Sequence, residues 1–345
     1  MKRYGYLFEK AFSKENISLA IQKASKGKKD RINVMKILVD KDKYVDKIYD
    51  LVWSGKYVPA TYTHAKITDG INKKERELWK LKSYPDHIVE WCIYLVLEPI
   101  LKKSMIKNTY ASLKGRGQNY GKLKVKKKAK TKNGRFYYKC DIRKFYPSVD
   151  NGLLIEMLER KIKDSKLMKM IKDILALEKG LPIGMILSQL FSNFFMNDVD
   201  HLMESMNYCR YADDIVIFGK ASEVVHKARK ILENAISKKR LTIKPSWIVY
   251  KLKNTPLDFM GFRFYRDHIT IRKSIMYRAT KRVRKWVKNQ TLKIAHAITS
   301  YMGWIKNTNS FKFYENRIKP YVDFKLLKDI IRNGEKKNEN LCFGI

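Results

Sequence analysis

Cysteine is scarce in this chain. The four cysteines, Cys92, Cys140, Cys209 and Cys342, stand far apart and form no CxxC pair. That spacing excludes a disulfide framework, argues against a zinc site and fits a reducing cytoplasm. Long apolar runs are missing too. The longest, residues 88–101, is interrupted by Glu90, Glu98 and Pro99 and falls short of the roughly 20 residues that cross a bilayer, so no membrane partner is expected. Residues 1–12 are charged throughout and lack the apolar centre of a signal peptide, which speaks against export. No repeat of fixed period occurs.

Acid is also in short supply. Asp plus Glu number 34 against 74 Lys plus Arg, a net charge of +40 spread along 345 residues. Self-repulsion on that scale calls for a polyanion, and nucleic acid is the obvious one; a lysine-rich surface that only confers solubility is the competing reading. At 45% hydrophobic residues the chain has ample material for a core.

Apolar spacing predicts helices over 15–26 and 31–54, with Gly27 and Gly55 as terminators. Residues 60–81 change to short strands around the turn "DGINKK", a basic hairpin. A long helix follows from Pro85, expected to turn Ile88, Trp91, Cys92, Leu95 and Val96 inward. Lys114 to Gly134 is Gly-punctuated and nearly free of acids, so it reads as solvated surface or a nucleic-acid contact. A strand through Tyr137, Lys139 and Asp141 ends at Pro147. Residues 151–179 are helical, then a Gly-Pro-Gly turn feeds an apolar helix. After it come the hairpin "CRYADDIVIF", a helix over 222–238, the strands "LTIKPSWIVYKL" and "LDFMGFRFY", and a helical, Arg- and Lys-rich region over 271–333. The order predicts an α+β fold with an antiparallel sheet.

Asp213 and Asp214 raise a geometric problem, because neighbours in a straight strand point to opposite faces. A turn at Ala212-Asp213 resolves it by letting the two side chains converge. Two carboxylates about 4 Å apart repel by about 4 kcal/mol at an effective dielectric of 20, so cations belong between them. Mg²⁺ prefers a few carboxylates plus phosphate oxygens, and Asp141, at the end of its own strand, is the best third acid. Two such ions about 3.5–4 Å apart suit attack by a primer hydroxyl and loss of pyrophosphate. Turn or cap aspartates are the competing reading.

In order, "CDIRKFYPSVD", "GLPIGMILSQLFSN", "RYADDIVIF" and "LDFMGFRF" resemble the palm motifs of a reverse transcriptase, across roughly residues 60–265. The resemblance implies a right-hand polymerase with an antiparallel palm sheet flanked by helices: fingers at 1–86 and 151–186, palm at 87–150 and 187–268, a helical thumb at 269–333 and a flexible tail at 334–345. It implies RNA-templated DNA synthesis from deoxynucleoside triphosphates with two Mg²⁺, or Mn²⁺ as a substitute. Asp141 and Asp213 then become the main metal ligands, with Asp214 the third acid and the Ile142 backbone carbonyl a further ligand. Tyr146 would exclude ribonucleotides. Lys74 and Arg76 would grip the triphosphate, and Ile183 and Gln189 would lie beside the nascent pair. Tyr211, Lys244 and Gly261 would lie along the primer, and Arg272, Arg278, Arg282 and Arg284 along the template-primer backbone, with Tyr277 and Trp286 either packed within the helices or stacked on sugar and base.

The pattern Ile183-Gly184, then Ser188-Gln189, is similar to the bacterial and phage reverse transcriptases of diversity-generating retroelements. That likeness implies cDNA made from a template-repeat RNA, errors at template adenines, and a small basic accessory protein oligomer as partner. Retron-type, intron-derived and defence-associated enzymes are the alternatives, as is a catalytically silent RNA-binding scaffold. No Val-Thr-Gly triplet occurs, which counts against the retron, and about 80 residues after "FMGFRF" leave little room for maturase modules.

Overall fold

The computed structural model describes residues 3–29, 31–69, 74–82, 84–306 and 308–343, apart from the side chains of 67–69, 74, 76, 77 and 335–343. The chain forms two units. One contains residues 1–121, 138–217 and 226–248, the other 122–137, 218–225 and 249–345. Helices and antiparallel strands mix throughout, as the α+β reading expects.

The N-terminal part holds α1 (Leu7–Ala11), α2 (Lys14–Ser25), α3 (Ile32–Val39) and α4 (Lys41–Trp53). The expected single helix over 31–54 breaks at Asp40, which ends α3 and opens α4 at φ −103°, ψ 42°; aspartate competes poorly for a helix interior. The hairpin is β1 (Thr63–Asp69) paired antiparallel with β2 (Lys74–Lys80), Thr63 opposite Lys80. The turn "DGINKK" lies largely outside the described residues.

Then comes α5 (Asp86–Lys102). Its inward face is Ile88, Val89, Cys92, Ile93 and Leu97; the expected Trp91, Leu95 and Val96 are only half-buried. Two buried acids explain the rotation. Asp86 accepts hydrogen bonds from the Tyr57 hydroxyl (3.0 Å) and the Ala60 N–H (3.0 Å), and Glu90 is 2% exposed, so the helix turns these carboxyls inward beside the aliphatic stripe. Residues 114–134, read as a solvated run, contain α6 (Gln118–Lys130), with Lys122, Val125 and Ala129 buried. Lysine is a good helix former, and three inward positions in a lysine-rich segment leave a faint periodicity.

β3 (Phe136–Asp141) precedes α7 (Asn151–Glu159) and α8 (Ser165–Ala176). The expected continuous helix over 151–179 stops because Asp164 caps α8, accepting from Leu167 N–H at 3.0 Å. The same carboxylate accepts the N–H groups of Leu7 (2.8 Å) and Phe8 (2.9 Å), so it fastens α1 as well. α9 (Ile186–Phe195) and α10 (Asn197–Met203) lead into β4 (Tyr208–Tyr211), β5 (Asp214–Gly219) and α11 (Ser222–Lys238). Within the expected strand "LTIKPSWIVYKL" only β6 (Ile248–Lys251) is regular, because Pro245 cannot donate to a ladder. The central sheet has the order β4-β5-β3-β6.

A three-stranded antiparallel sheet, β7 (Leu257–Phe259), β8 (Phe262–Phe264) and β9 (Ile269–Ile271), follows. Met260 (φ 53°) and Gly261 (φ 84°) form its first turn, with the left-handed pair that a two-residue hairpin requires. A Cβ on Gly261 would meet the Trp304 ring at 2.5 Å. The last helices are α12 (Lys273–Lys288), α13 (Leu292–Ile305), α14 (Phe311–Arg317) and α15 (Phe324–Phe343), so helix runs through most of the expected tail. Among the described residues no helix is long and apolar enough to cross a membrane, and Cys92, Cys140 and Cys209 are buried and outside any disulfide.

Burial pushes the Glu90 carboxyl up to about 8, although the N–H groups of Ile186 and Leu187 at the start of α9 favour its charged form. The folded chain therefore holds a proton that the unfolded chain releases above about pH 4. Stability from this site falls as pH rises from about 4 to about 8. Glu90→Gln is expected to melt a few degrees above the wild type at pH 9 and level with it at pH 4; thermal unfolding at the two pH values measures the difference.

Candidate active site

Tyr211 and Asp214 face each other in register across β4 and β5, so Ala212 and Asp213 alone make the turn. Ala212 sits at φ 55°, a left-handed conformation that costs a non-glycine residue about 1 kcal/mol. The turn brings Asp213 to β3: the Ile142 N–H donates to the Asp213 carbonyl at 3.1 Å. Asp141 precedes Ile142, its carbonyl accepts the Lys244 N–H at 2.9 Å, and both Asp141 and Asp213 act electrostatically on Asp214. Asp141 thus shares one locus with the adjacent Asp213 and Asp214, which are distant from it in sequence.

Lysines stand beside two of them. Lys139 Nζ, from β3, lies 3.4 Å from Asp214 Oδ1, and Lys244 Nζ lies 3.7 Å from Asp141 Oδ1. The first pair is too poorly aligned for a hydrogen bond, and Asp214 Oδ1 is buried with no donor. Burial is the main reason the Asp214 carboxyl is pushed up to about 7; Lys139 opposes it and the two neighbouring acids reinforce it. Among the described residues no three His, Cys, Asp or Glu side chains already stand in ligating geometry. Lys139 and Lys244 offset part of the mutual repulsion of these carboxylates. The donor set nevertheless fits a hard divalent cation: oxygen ligands only, one of them a buried orphan. Asp141, Asp213 and Asp214 would hold it.

Beneath the turn lies a polar cluster that single-residue motifs do not reveal. Arg210 and Asp200 are both fully buried and paired twice, Nε to Oδ1 at 2.8 Å and Nη2 to Oδ2 at 2.6 Å. Asp200 also accepts from the Tyr208 hydroxyl (2.8 Å) and Thr109 (3.1 Å). Arg210 Nη1 reaches the Asn193 side chain (3.2 Å) and the carbonyl of Ala212 itself (3.0 Å). The strained turn is therefore tied from below to α9 and α10. The signal for it was an arginine at an inward position of an apolar strand, two residues from an aspartate pair.

The other expected site residues divide by location. Ser192 and Asp213 both act on the Tyr146 hydroxyl, and Gln118 acts on that of Tyr211. Ile142 is buried at the acid locus. Ile183, half-exposed, gives its carbonyl to the Trp79 N–H of β2 at 3.1 Å, and Gln189 accepts from Ser192 and Asn193 through its backbone oxygen. Gly180, at φ 76°, packs so closely on Pro147 that a Cβ would meet its carbonyl oxygen at 2.5 Å, which holds the "GLPIG" loop against the segment carrying Tyr146. Lys74 and Arg76 lie in β2, but their side chains lie outside the described residues. Gly261, Arg272, Arg278, Arg282 and Arg284 belong to the second unit. There Arg272 pairs with Asp258, while Arg278 and Arg284 are exposed and Arg282 half-exposed on α12; Trp286 is buried and Tyr277 exposed.

Residues 71–264 match the family model described as reverse transcriptase (RNA-dependent DNA polymerase). The chain is 23% identical to Protein YkfC of Escherichia coli (strain K12) over 272 residues, covering 63% of this chain and 70% of that protein. Among solved structures it is similar to telomerase from Candida albicans bound to a fragment of telomeric RNA, at 11% identity and a TM-score of 0.42, covering 84% of this chain and 64% of that one. Apo telomerase from Candida Tropicalis gives 11% identity and 0.47, covering 77% and 59%. The chain spans about 64% and 59% of the lengths of these two telomerase chains.

Removing one partner of the buried pair leaves an unpaired charge, at a cost of about 3–5 kcal/mol, whereas replacing both by apolar residues is often nearly neutral. Arg210→Met/Asp200→Leu is expected to melt well above either single variant. It also deprives the Ala212 carbonyl of its donor, so nucleotide incorporation should fall more than tenfold; melting curves and primer extension on the same preparations check both halves.

Proposed function

The chain belongs to the reverse transcriptase family of RNA-dependent DNA polymerases, and we propose that it copies a template-repeat RNA into cDNA in the manner of a diversity-generating retroelement. The observation that carries the polymerase chemistry is the Ile142–Asp213 backbone bond, which sets Asp141, Asp213 and Asp214 at one locus. Two Mg²⁺ bound there would supply the positive charge that activates a primer 3'-hydroxyl and neutralises the departing pyrophosphate. Lys139 and Lys244 hold the acids when no metal is bound. Tyr146, fixed by Ser192 beside Asp213, presents an aromatic wall where a ribose 2'-hydroxyl would clash.

In this reading residues 1–86 and 151–186 act as fingers, 87–150 and 187–268 as palm and 269–333 as thumb. The exposed Arg278 and Arg284 of α12 contact backbone phosphates. Lys74 and Arg76 grip the triphosphate, with Gln189 near the incoming base and Lys244 and Tyr211 by the primer end. The retroelement assignment rests on Ile183: an aliphatic side chain beside the nascent pair offers no hydrogen bond to the incoming nucleotide, and a missing polar contact weakens discrimination against mispairs. A small basic accessory protein oligomer is the expected partner, and the cytoplasm the expected compartment.

Primer extension on a poly(A) template with Mg²⁺ tests the polymerase reading. Asp213→Asn should abolish extension, and equal extension by both proteins would refute the assigned acids. Error spectra test the finer reading. Ile183→Gln should lower misincorporation opposite template adenine several-fold, and an unaltered spectrum would remove Ile183 from the account.

A further inference from the structure

Cations gather around a cavity of about 650 Å³ on the N-terminal helices, lined by Arg31, Asn33, Lys36, Tyr44, Lys82 and Tyr84 among others, with no carboxylate among the described residues of its lining. It shares no residue with the acid locus. Arg31, Lys36 and Lys82 form no ion pair among the described residues. Lys28, close by, contacts the His87 ring at 3.4 Å, and the His87 N–H donates to the Lys82 carbonyl at 3.3 Å. The positive field is strong enough to register on its neighbours. Burial first, then Lys28 and Arg31, push the His87 imidazole down to about 4, and burial with Arg31 lowers Lys28. Cations brought together in this way repel one another, and a bound anion relieves that repulsion.

The walls add a second kind of contact. Tyr44 and Tyr84 meet edge to face, centroids 5.2 Å apart and 75° between planes, and both are only partly buried. Lys47 lies 5.4 Å over the Tyr44 ring. Aromatic faces among uncompensated cations are the combination that binds single-stranded nucleic acid, phosphate on the cations and base on the ring. A volume of this size accommodates a nucleotide.

We infer that this cavity is a second nucleic-acid site that holds a nucleotide of single-stranded RNA, its phosphate against Arg31, Lys36 and Lys82 and its base against Tyr44 or Tyr84. The choice of RNA over another polyanion rests on the polymerase reading above. The local chemistry, a phosphate and a base, does not.

The test measures binding of a fluorescent oligoadenylate to the full chain by anisotropy, without any synthesis. Arg31→Glu/Lys36→Glu/Lys82→Glu should weaken binding at least about tenfold more than Lys227→Glu/Lys230→Glu/Lys238→Glu, which changes the charge equally on exposed positions of α11. Ultraviolet cross-linking of the oligonucleotide to the wild type should modify the peptide carrying Tyr44 or Tyr84. Equal weakening by the two triple variants, or cross-links that avoid both peptides, would overturn the site. Displacement of the oligonucleotide by adenosine monophosphate at matched concentration would assign the cavity to free nucleotides and overturn the single-strand reading. The same binding loss is expected in an Asp213→Asn background, and failed synthesis by the wild type with an intact difference between the triple variants would sink the polymerase reading and leave this site standing.

Discussion

The doubly hydrogen-bonded pair of Arg210 and Asp200 is the constraint on which the acid locus depends. A guanidinium with no solvent exposure needs its charge balanced and its donors occupied. Asp200, Asn193 and the Ala212 carbonyl meet that need. Because one of those acceptors is the turn itself, the left-handed backbone at Ala212 is held by the same arginine that anchors β4 to α9 and α10. Asp213 then reaches β3 through its carbonyl. The side chains expected to do chemistry are positioned by groups that touch no substrate.

Charge works at two scales in this molecule. Globally, +40 favours a polyanionic partner. Locally, the three acids repel, and Lys139 and Lys244 lean toward two of them. The raised Asp214 carboxyl reflects the same tension: a buried carboxylate beside two others gives up its charge unless a cation arrives. The N-terminal cavity gathers the opposite sign, with Arg31, Lys36 and Lys82 in its lining.

Legibility in the sequence followed the strength of the local signal. The Asp213–Asp214 turn was readable because a period of two forbids adjacent side chains on one face, and the structure places Ala212 and Asp213 at the turn. The hairpin over 60–81 and the helix over 222–238 were readable for similar reasons. α6 was not, since Lys122, Val125 and Ala129 are too few among lysines to show a stripe. The inward face of α5 was misjudged because Glu90 was taken as an interruption of the apolar run, whereas it and Asp86 are both buried. At Asp40 and Asp164 a continuous apolar pattern concealed breaks, the second of them made by a capping aspartate.

By itself the sequence determined the family-bearing motifs, the α+β class, the excess of positive charge and the identity of the candidate acids. Each depends on composition or on neighbours within a few residues, where backbone geometry is predictable. Tertiary structure decided which lysines stand beside those acids, that Arg210 reaches Asp200 and the Ala212 carbonyl, and that Arg31, Lys36 and Lys82 share a cavity. Most of those relations join residues of different elements, Lys139 with Asp214 and Arg31 with Lys82 among them. They are fixed by packing of whole elements, and nothing local in the chain encodes the distance between them.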